Sequence, residues 1–395
     1  MLVCCMLTQS RIFHHARVAT LLLIGGFGVM GGGLLAPALP ALIDPFGVQE
    51  SSVGLVLSVY TLAAALTLPF TGLLLDVLGR KPVGVACLII DGVFGLLCTA
   101  APSFAVLLVF RFLQGIGIAG LIPVAMTVIG DWYQGEKRLK VMGYLSATIA
   151  VAAVVIPLLG GVLAEFSWRY PFFVYGFSPL LAIAFVVLVP ETAPDRSGAH
   201  TASYLRGLGK ALGSTAVREV FLHSFGTFFL LYAMVTFVPL FIAARYGYGV
   251  SVAGAAISLN GLIAALVAGR AVGLNRRLGR RLTLVCGYTA IGVSLALMPF
   301  WPGAPGVVVS LALFGIGMGV VQPAIFSWAT TAGPAELTGS IVALFNTLKF
   351  IGMTAAPLVL RSVHGAGGMR WTFAVAGAVG GLWALRAAFR GAEKP

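Results

Sequence analysis

Twelve apolar stretches, most of them about twenty residues long, follow one another along this chain, and no other feature restricts its fold as severely. They fall near 18–42, 53–75, 82–101, 104–129, 139–163 and 170–189, then near 220–243, 250–274, 282–301, 305–331, 338–361 and 369–388. A helix needs about 20 apolar residues to cross the hydrocarbon core of a bilayer, and within lipid every backbone N–H and C=O must be satisfied internally. Charged residues make up 9% of the chain, against about 25% in a soluble domain, so a water-soluble globule is excluded. The expected fold class is an all-α membrane protein with twelve transmembrane helices in two six-helix bundles. The expected domains are a cytoplasmic N-terminal tail (1–17), a first bundle (18–189), a cytoplasmic linker (190–219), a second bundle (220–390) and a tail (391–395). Within the linker, the segment from Tyr204 to Lys210 is expected to form a short interfacial helix.

The first stretch shares two features with a cleaved leader, Arg11 and Arg17 before it and Ala36-Pro-Ala38 within it. It is longer than the roughly 7–15 residues of a leader's apolar core, and more spans follow, so an uncleaved first span is expected. With an even number of spans and the N-terminus inside, the turn at Gly79 lies inside. Eighteen of the 25 Lys and Arg then fall in cytoplasmic segments and four, Arg169, Arg245, Arg361 and Arg370, in outer ones. Arg111, Arg270 and Lys349 remain within spans. This is the positive-inside pattern. The net charge of +13 therefore reports topology, and no nucleic-acid partner is implied. Both termini are expected to be cytoplasmic, in an inner or plasma membrane. Five cysteines and five histidines show neither a disulfide framework nor metal-ligand spacing, and no cofactor is expected.

Charge is concentrated at Gly72-Leu-Leu-Leu-Asp76-Val-Leu-Gly79-Arg80-Lys81. An acid closes one span, a glycine permits a positive φ, and two cations precede the next span. The stretch resembles the G-x-x-x-D-x-x-G-R-[KR] loop signature of the major facilitator superfamily at every fixed position. The resemblance implies a latch role for Gly72, Asp76, Gly79, Arg80 and Lys81, stabilising an outward-open state. By its position Asp76 is suited to pair with Arg80 or with a helix N-terminus of the opposite half. The halves also repeat at an offset of 200: Leu78-Gly-Arg80 matches Leu278-Gly-Arg280, Gly115 and Gly117 with Pro123 match Gly315 and Gly317 with Pro323, and Pro157 matches Pro357. Six-span parallel repeats with a site at their interface are a known transporter plan. Val272 and Arg276 replace Gly72 and Asp76 in the second copy, so the acid survives in the first copy alone.

Arg111-Phe-Leu-Gln114-Gly115 resembles the R-x-x-Q-G signature of the superfamily's fourth span. A guanidinium in hydrocarbon costs about 2.5–3.5 kcal/mol or more, so Arg111 either faces a partner in the interior or snorkels to the outer surface. Asp91 is the acid nearest mid-span, level with Gln114 across the hairpin at 101–104, and a pair with Arg111 is within reach. Asp91, Arg111 and Gln114 form either a structural cluster or a proton-coupling site. Pro157, Gly160 and Gly161 resemble the G-P-x-x-G-G antiporter signature with Ile156 at its first position, and with Gly115 they form a helix-packing and hinge set. Ser167-Trp-Arg169 and Pro190-Glu-Thr192 resemble the borders of the sixth span in twelve-span drug efflux proteins.

Phe228, Phe229 and Tyr232 offer an aromatic wall, and Asn260, Gln322, Trp328, Asn346 and Lys349 are polar or amphipathic candidates for a substrate pocket; each is equally suited to a contact between helices. Lys349 stands as a lone cation that favours anionic or zwitterionic groups. The resemblance implies a monomeric secondary transporter that exports a small organic compound, coupled to protons, as in the drug:proton antiporter branch. Many members of that branch carry an acid in the first span, where this chain has Met30 to Pro37, so a coupled importer is the second reading. A membrane enzyme or a non-transporting sensor has no support from a nucleophile–base pair, a phosphate loop or a soluble signalling domain.

Overall fold

The computed structural model describes residues 2–192, 213–333 and 337–390. Its principal helices are α1 (Leu2–Phe27), α2 (Leu55–Leu78), α3 (Arg80–Leu97), α4 (Phe104–Trp132), α5 (Gly135–Phe166) and α6 (Tyr170–Leu188). The second half begins with α7 (Thr215–Tyr246). A helix over Val250–Leu297 breaks at Gly279 into α8 (250–278) and α9 (280–297), followed by α10 (Ala304–Thr331). The last, Thr338–Arg390, breaks at Gly368 into α11 (338–367) and α12 (369–390). These twelve helices, among the described residues, occupy the twelve apolar stretches. Residues 193–212 and 391–395, which hold most of the expected linker, its interfacial helix and the final tail, lie outside the described residues.

The helices depart from the apolar stretches at three places. The segment expected as an N-terminal tail is helical from Leu2. Glu219, expected at the end of the linker, lies in the second turn of α7 and is buried. The first span does not run unbroken to Leu42. It stops at Phe27, resumes for one turn at Met30–Gly33, and ends in a 3-10 turn at Leu39–Leu42. Gly25, Gly26, Gly28 and Gly31–Gly33 explain this, because each glycine in a helix costs about 1 kcal/mol relative to alanine. Pro37 and Pro40 then remove backbone donors.

The repeat is visible in the backbone. Gly79 (φ 97°, ψ 164°) and Gly279 (φ 74°, ψ 160°) make the same sharp turn, in a region where a Cβ is unfavourable. The 3-10 turns Cys98–Ala100 and Met298–Phe300 also correspond, and Pro123 and Pro323 sit inside α4 and α10. A Cβ on Gly117 would stand 2.6 Å from the Cys87 carbonyl oxygen, and one on Gly317 would stand 2.7 Å from that of Gly287. Close backbone approach at these points seats α4 on α3 and α10 on α9. Gly115 likewise faces the Tyr60 carbonyl, as Gly315 faces that of Asn260.

The turns at Gly79, Gly135 and Gly279 share one end of the molecule with most of the described lysines and arginines, here named the basic end; the turns at 101–103, Gly247 and Gly368 lie at the far end. Two helix pairs join the halves. α5 meets α8 where a Cβ on Gly161 would stand 3.0 Å from Gly254 Cα. α2 meets α11, with Ser58 Oγ donating to the Thr354 carbonyl (3.2 Å) and Thr61 Oγ1 hydrogen bonding Thr354 Oγ1 (2.9 Å). At the far end the Ser251 N–H, opening α8, donates to Glu165 Oε2 (3.0 Å), and His364 Nε2 stands 3.5 Å from Glu50 Oε2. These contacts close the seam on the far side. Outward, Leu66, Phe70, Val151, Val187 and Phe389 are exposed, as lipid-facing side chains require.

Gly117→Val should push α4 off the α3 backbone and lower stability by roughly 1–3 kcal/mol, read as an earlier melting transition of the purified protein. Gly143→Ala, whose added methyl meets nothing within 4 Å, should leave the transition unchanged; equal losses in both would contradict the packing described.

Candidate functional site

The interior of the first half holds a polar chain crossing five segments. Arg111, on α4, is fully buried, so it does not snorkel. Its Nη2 donates to the Gly31 carbonyl (2.9 Å), its Nε to the Val56 carbonyl (3.3 Å) and its Nη1 to Gln114 Oε1 (2.6 Å). Its guanidinium carbon lies 3.9 Å from the centre of the Tyr60 ring. Gln114 passes the connection on, its Nε2 donating to Asp91 Oδ1 (3.1 Å), and Ser178 Oγ donates to Asp91 Oδ2 (2.7 Å). The direct Asp91–Arg111 pair that the sequence places within reach is not made here. A carboxamide stands between them because Asp91 is level with Gln114, one turn away from Arg111. Tyr175 donates to the Met30 carbonyl (3.4 Å). The broken first span thus supplies the backbone oxygens of Met30 and Gly31 to this chain.

This chain reaches the other half. The Tyr60 ring covers Gly31, and the Tyr232 hydroxyl, from α7, covers Gly32, leaving no room for a Cβ at either glycine. Gly160 lies against the Leu34 carbonyl, and Gly254 against that of Pro157. The hinge candidates Pro157, Gly160 and Gly161 therefore sit where the end of the first span and the second half both touch α5.

A second cluster lies at the basic end. Arg80 is buried; its Nε donates to Asp131 Oδ2 (3.0 Å), and its Nη1 to the Leu75 carbonyl (2.9 Å) and Asp76 Oδ1 (3.3 Å). Glu191 caps α3 by accepting from the Arg80 and Lys81 N–H groups (2.9 and 3.0 Å), and Thr192 Oγ1 donates to Asp131 (2.8 Å). The Asp76 side chain is 53% exposed, and of the two partners foreseen for it, Arg80 is the one it meets. Gly72 has open space around its Cα. Asp131, Glu191, Ser178 and Tyr60 were missed as site residues. Asp131 and Glu191 were readable as acids at span ends, whereas nothing in the spacing marks Ser178 or Tyr60.

The pocket candidates scatter. Phe228 and Lys349 come together, Lys349 Nζ lying 5.0 Å from the Phe228 ring centre. Phe229 is buried beside Phe225, with ring centres 6.1 Å apart. Asn346 donates to the Val342 carbonyl of its own helix (2.9 Å). Asn260 is buried with Nδ2 making no hydrogen bond, and Gln322 is half-buried in α10. Trp328 is buried near the basic end, with the Arg280 guanidinium carbon 4.1 Å from its ring centre and His223 beside it. There it belongs to the core of the second half, not to a shared cavity. That core has its own polar set: Tyr288 Oη lies 2.7 Å from Thr227 Oγ1 and 3.0 Å from His223 Nδ1, and Arg386 grips Glu219 at 2.8 and 2.9 Å. A cavity of about 520 Å³ lies between α4 and α5 at the basic end, lined by Met126, Arg138, Met142, Leu145 and Ile149. None of the sequence candidates lines it.

Comparison with known proteins places this geometry. A model of the Major Facilitator Superfamily matches residues 21–357. The bacillibactin exporter of Bacillus subtilis (strain 168) is 27% identical over 348 residues, covering 85% of this chain and 86% of that protein. The class G tetracycline resistance protein of Vibrio anguillarum is 28% identical over 380 residues, covering 89% and 91%. A crystal structure of a bacterial homologue of the human lysosomal transporter Spinster, inward-facing and unoccupied, superposes with a TM-score of 0.81 at 17% identity, covering 97% of this chain and 99% of that one.

The basic-end cluster predicts an order of stabilities. Asp131→Asn leaves the buried Arg80 without its closest carboxylate and should cost roughly 1–3 kcal/mol, while Asp76→Asn, at an exposed pair, should cost about 1 kcal/mol or less. Chemical denaturation of the two variants in detergent would reveal the reverse order if Asp76 were the principal partner.

Proposed function

This chain belongs to the Major Facilitator Superfamily and is a multi-pass membrane transporter, and on that premise we propose that it exports a small organic compound by alternating access, driven by entering protons. The observation that carries the coupling is the chain Asp91–Gln114–Arg111–Gly31. Its carboxylate is sealed from solvent and held by Ser178 and Gln114, and through Arg111 it is tied to the broken first span. That span presses on Tyr232 of the other half. Adding a proton to Asp91 removes the negative end of this chain. Arg111 then holds its charge with neutral acceptors only, and the balance between the first span and α7 changes. A proton taken up on one side of the membrane and released on the other thereby biases which side is open.

Export is supported by the relatives: one is an exporter of bacillibactin, another a resistance protein. The orientation with the basic end in the cytoplasm follows from the positive-inside pattern. The contacts of Glu165, Glu50 and His364 at the far end support reading this conformation as the one open at the basic end. Asp76 is half-exposed in this state, as expected of a latch that engages when the basic ends meet. The absence of an acid in the first span keeps the importer as the second reading. It is separated by the direction of flux.

Two substitutions test the proposal in proteoliposomes. Asp91→Asn should reduce ΔpH-driven accumulation by about tenfold or more while substrate binding persists and loses its dependence on pH. Undiminished ΔpH-driven accumulation in that variant would falsify the assignment of Asp91. Asp76→Asn should slow flux in both directions at normal membrane abundance, because its loss touches the rocking of the halves and not the proton.

A further inference from the structure

Lys349 is a cation in the interior for which the described residues supply no anion. It forms no ion pair and no hydrogen bond among the described residues. The two carboxylates buried among the described residues are engaged elsewhere, Asp91 by Ser178 and Gln114 and Glu219 by Arg386. What surrounds the ammonium is aromatic: its Nζ lies 5.0 Å from the Phe228 ring centre and 5.4 Å from that of Phe350. Phe326 extends this wall, 6.5 Å from Phe228 and 4.9 Å from Phe345.

The place matters as much as the charge. Lys349 lies eleven residues into α11, roughly 16 Å along the helix at 1.5 Å per residue. Its stem is too short to carry the ammonium to the headgroups at the basic end, so snorkelling does not account for it. Phe350, the next residue, packs against a cluster of buried residues drawn entirely from the first half as well as against the larger cluster to which both halves contribute. The cation therefore stands beside the seam between the halves. Lys349 is half-buried; ring faces offset part of the cost of a partly desolvated cation but accept no strong hydrogen bond, and an ammonium has three donors. The site is electrostatically incomplete, and an anion completes it.

We propose that Lys349, with Phe228 and Phe350, recognises the transported compound, and that this compound is an organic anion with a flat, largely apolar body. The proposal rests on the reading of the chain as a transporter and deepens it by naming a substrate class. A carboxylate, sulfonate or phenolate takes the ammonium's donors, while the aromatic wall takes the apolar body. A cationic compound meets like charge at the same place and is disfavoured.

The test uses four probes with one aromatic body: 2-naphthoate, naphthalene-2-sulfonate, neutral 2-naphthamide and cationic 2-naphthylmethylammonium. Binding to the full chain in lipid nanodiscs is followed by calorimetry. The two anions should bind about tenfold or more tightly than the amide, with the cation weakest. Lys349→Gln should erase the preference for anions and leave the amide within about threefold; Lys349→Arg should keep it. A cation that binds the wild type as well as the anions do, no binding of either anion, or an anion preference that survives Lys349→Gln overturns the proposal. If Lys349→Gln does not reach the membrane intact, the wild-type series and Lys349→Arg still decide. Lys349-dependent anion binding without ΔpH-driven flux leaves the anion site standing and removes the coupling. ΔpH-driven flux without any Lys349-dependent binding of the anions leaves the coupling standing and removes the anion site.

Discussion

The interior of the first half is arranged around the need to satisfy one guanidinium. Arg111 brings five N–H donors and a full charge into a region where its insertion costs about 2.5–3.5 kcal/mol or more. Its acceptors are two backbone carbonyls and a carboxamide, and its counter-charge is one residue further on. The Gly31 carbonyl reaches it from the single helical turn that follows the break in the first span. The glycine-rich break, the tyrosine above the guanidinium and the carboxylate beyond Gln114 thus belong to one requirement. The corresponding positions of the second half, Ile291, Leu311 and Phe314, are apolar, so the helices pack in the same way without it. The repeat supplies the scaffold, and its first copy alone carries the ionisable chain.

The bonds within the halves and those between them differ in kind. Within the first half, charged groups are buried and joined; removing one partner of such a set is expensive. Between the halves lie glycine-to-glycine contacts, a few Ser and Thr hydrogen bonds, a carboxylate at a helix N-terminus and a His–Glu contact. Interhelical hydrogen bonds of this sort average about 0.6 kcal/mol each. Two stiff bundles joined by weak, separable contacts are what rigid-body rocking requires. The glycines serve this purpose because they let backbones approach without side chains that would have to disengage.

The sequence by itself determined the class, the number of spans and the repeat, because a bilayer demands about twenty apolar residues per crossing and a glycine turn between helices leaves a mark that recurs at a fixed offset. It also placed Arg111, Gln114 and Asp91 at neighbouring depths, since a short hairpin sets the depth of residues on both of its helices, while leaving open whether Arg111 turned inward. Tertiary structure alone decided that Gln114 separates the two charges, that Arg80 answers to Asp131 and Glu191 as well as to Asp76, and that Trp328 packs in the core. It alone found Ser178 and Tyr60. Asp131, Glu191, Ser178 and Tyr60 lie from 51 to 111 residues from the charged groups they meet, and in apolar helices almost every face is compatible with either lipid or protein. Periodicity therefore cannot say which side chain turns inward, and the choice is made only when helices distant in sequence pack and leave a buried polar group one partner within reach.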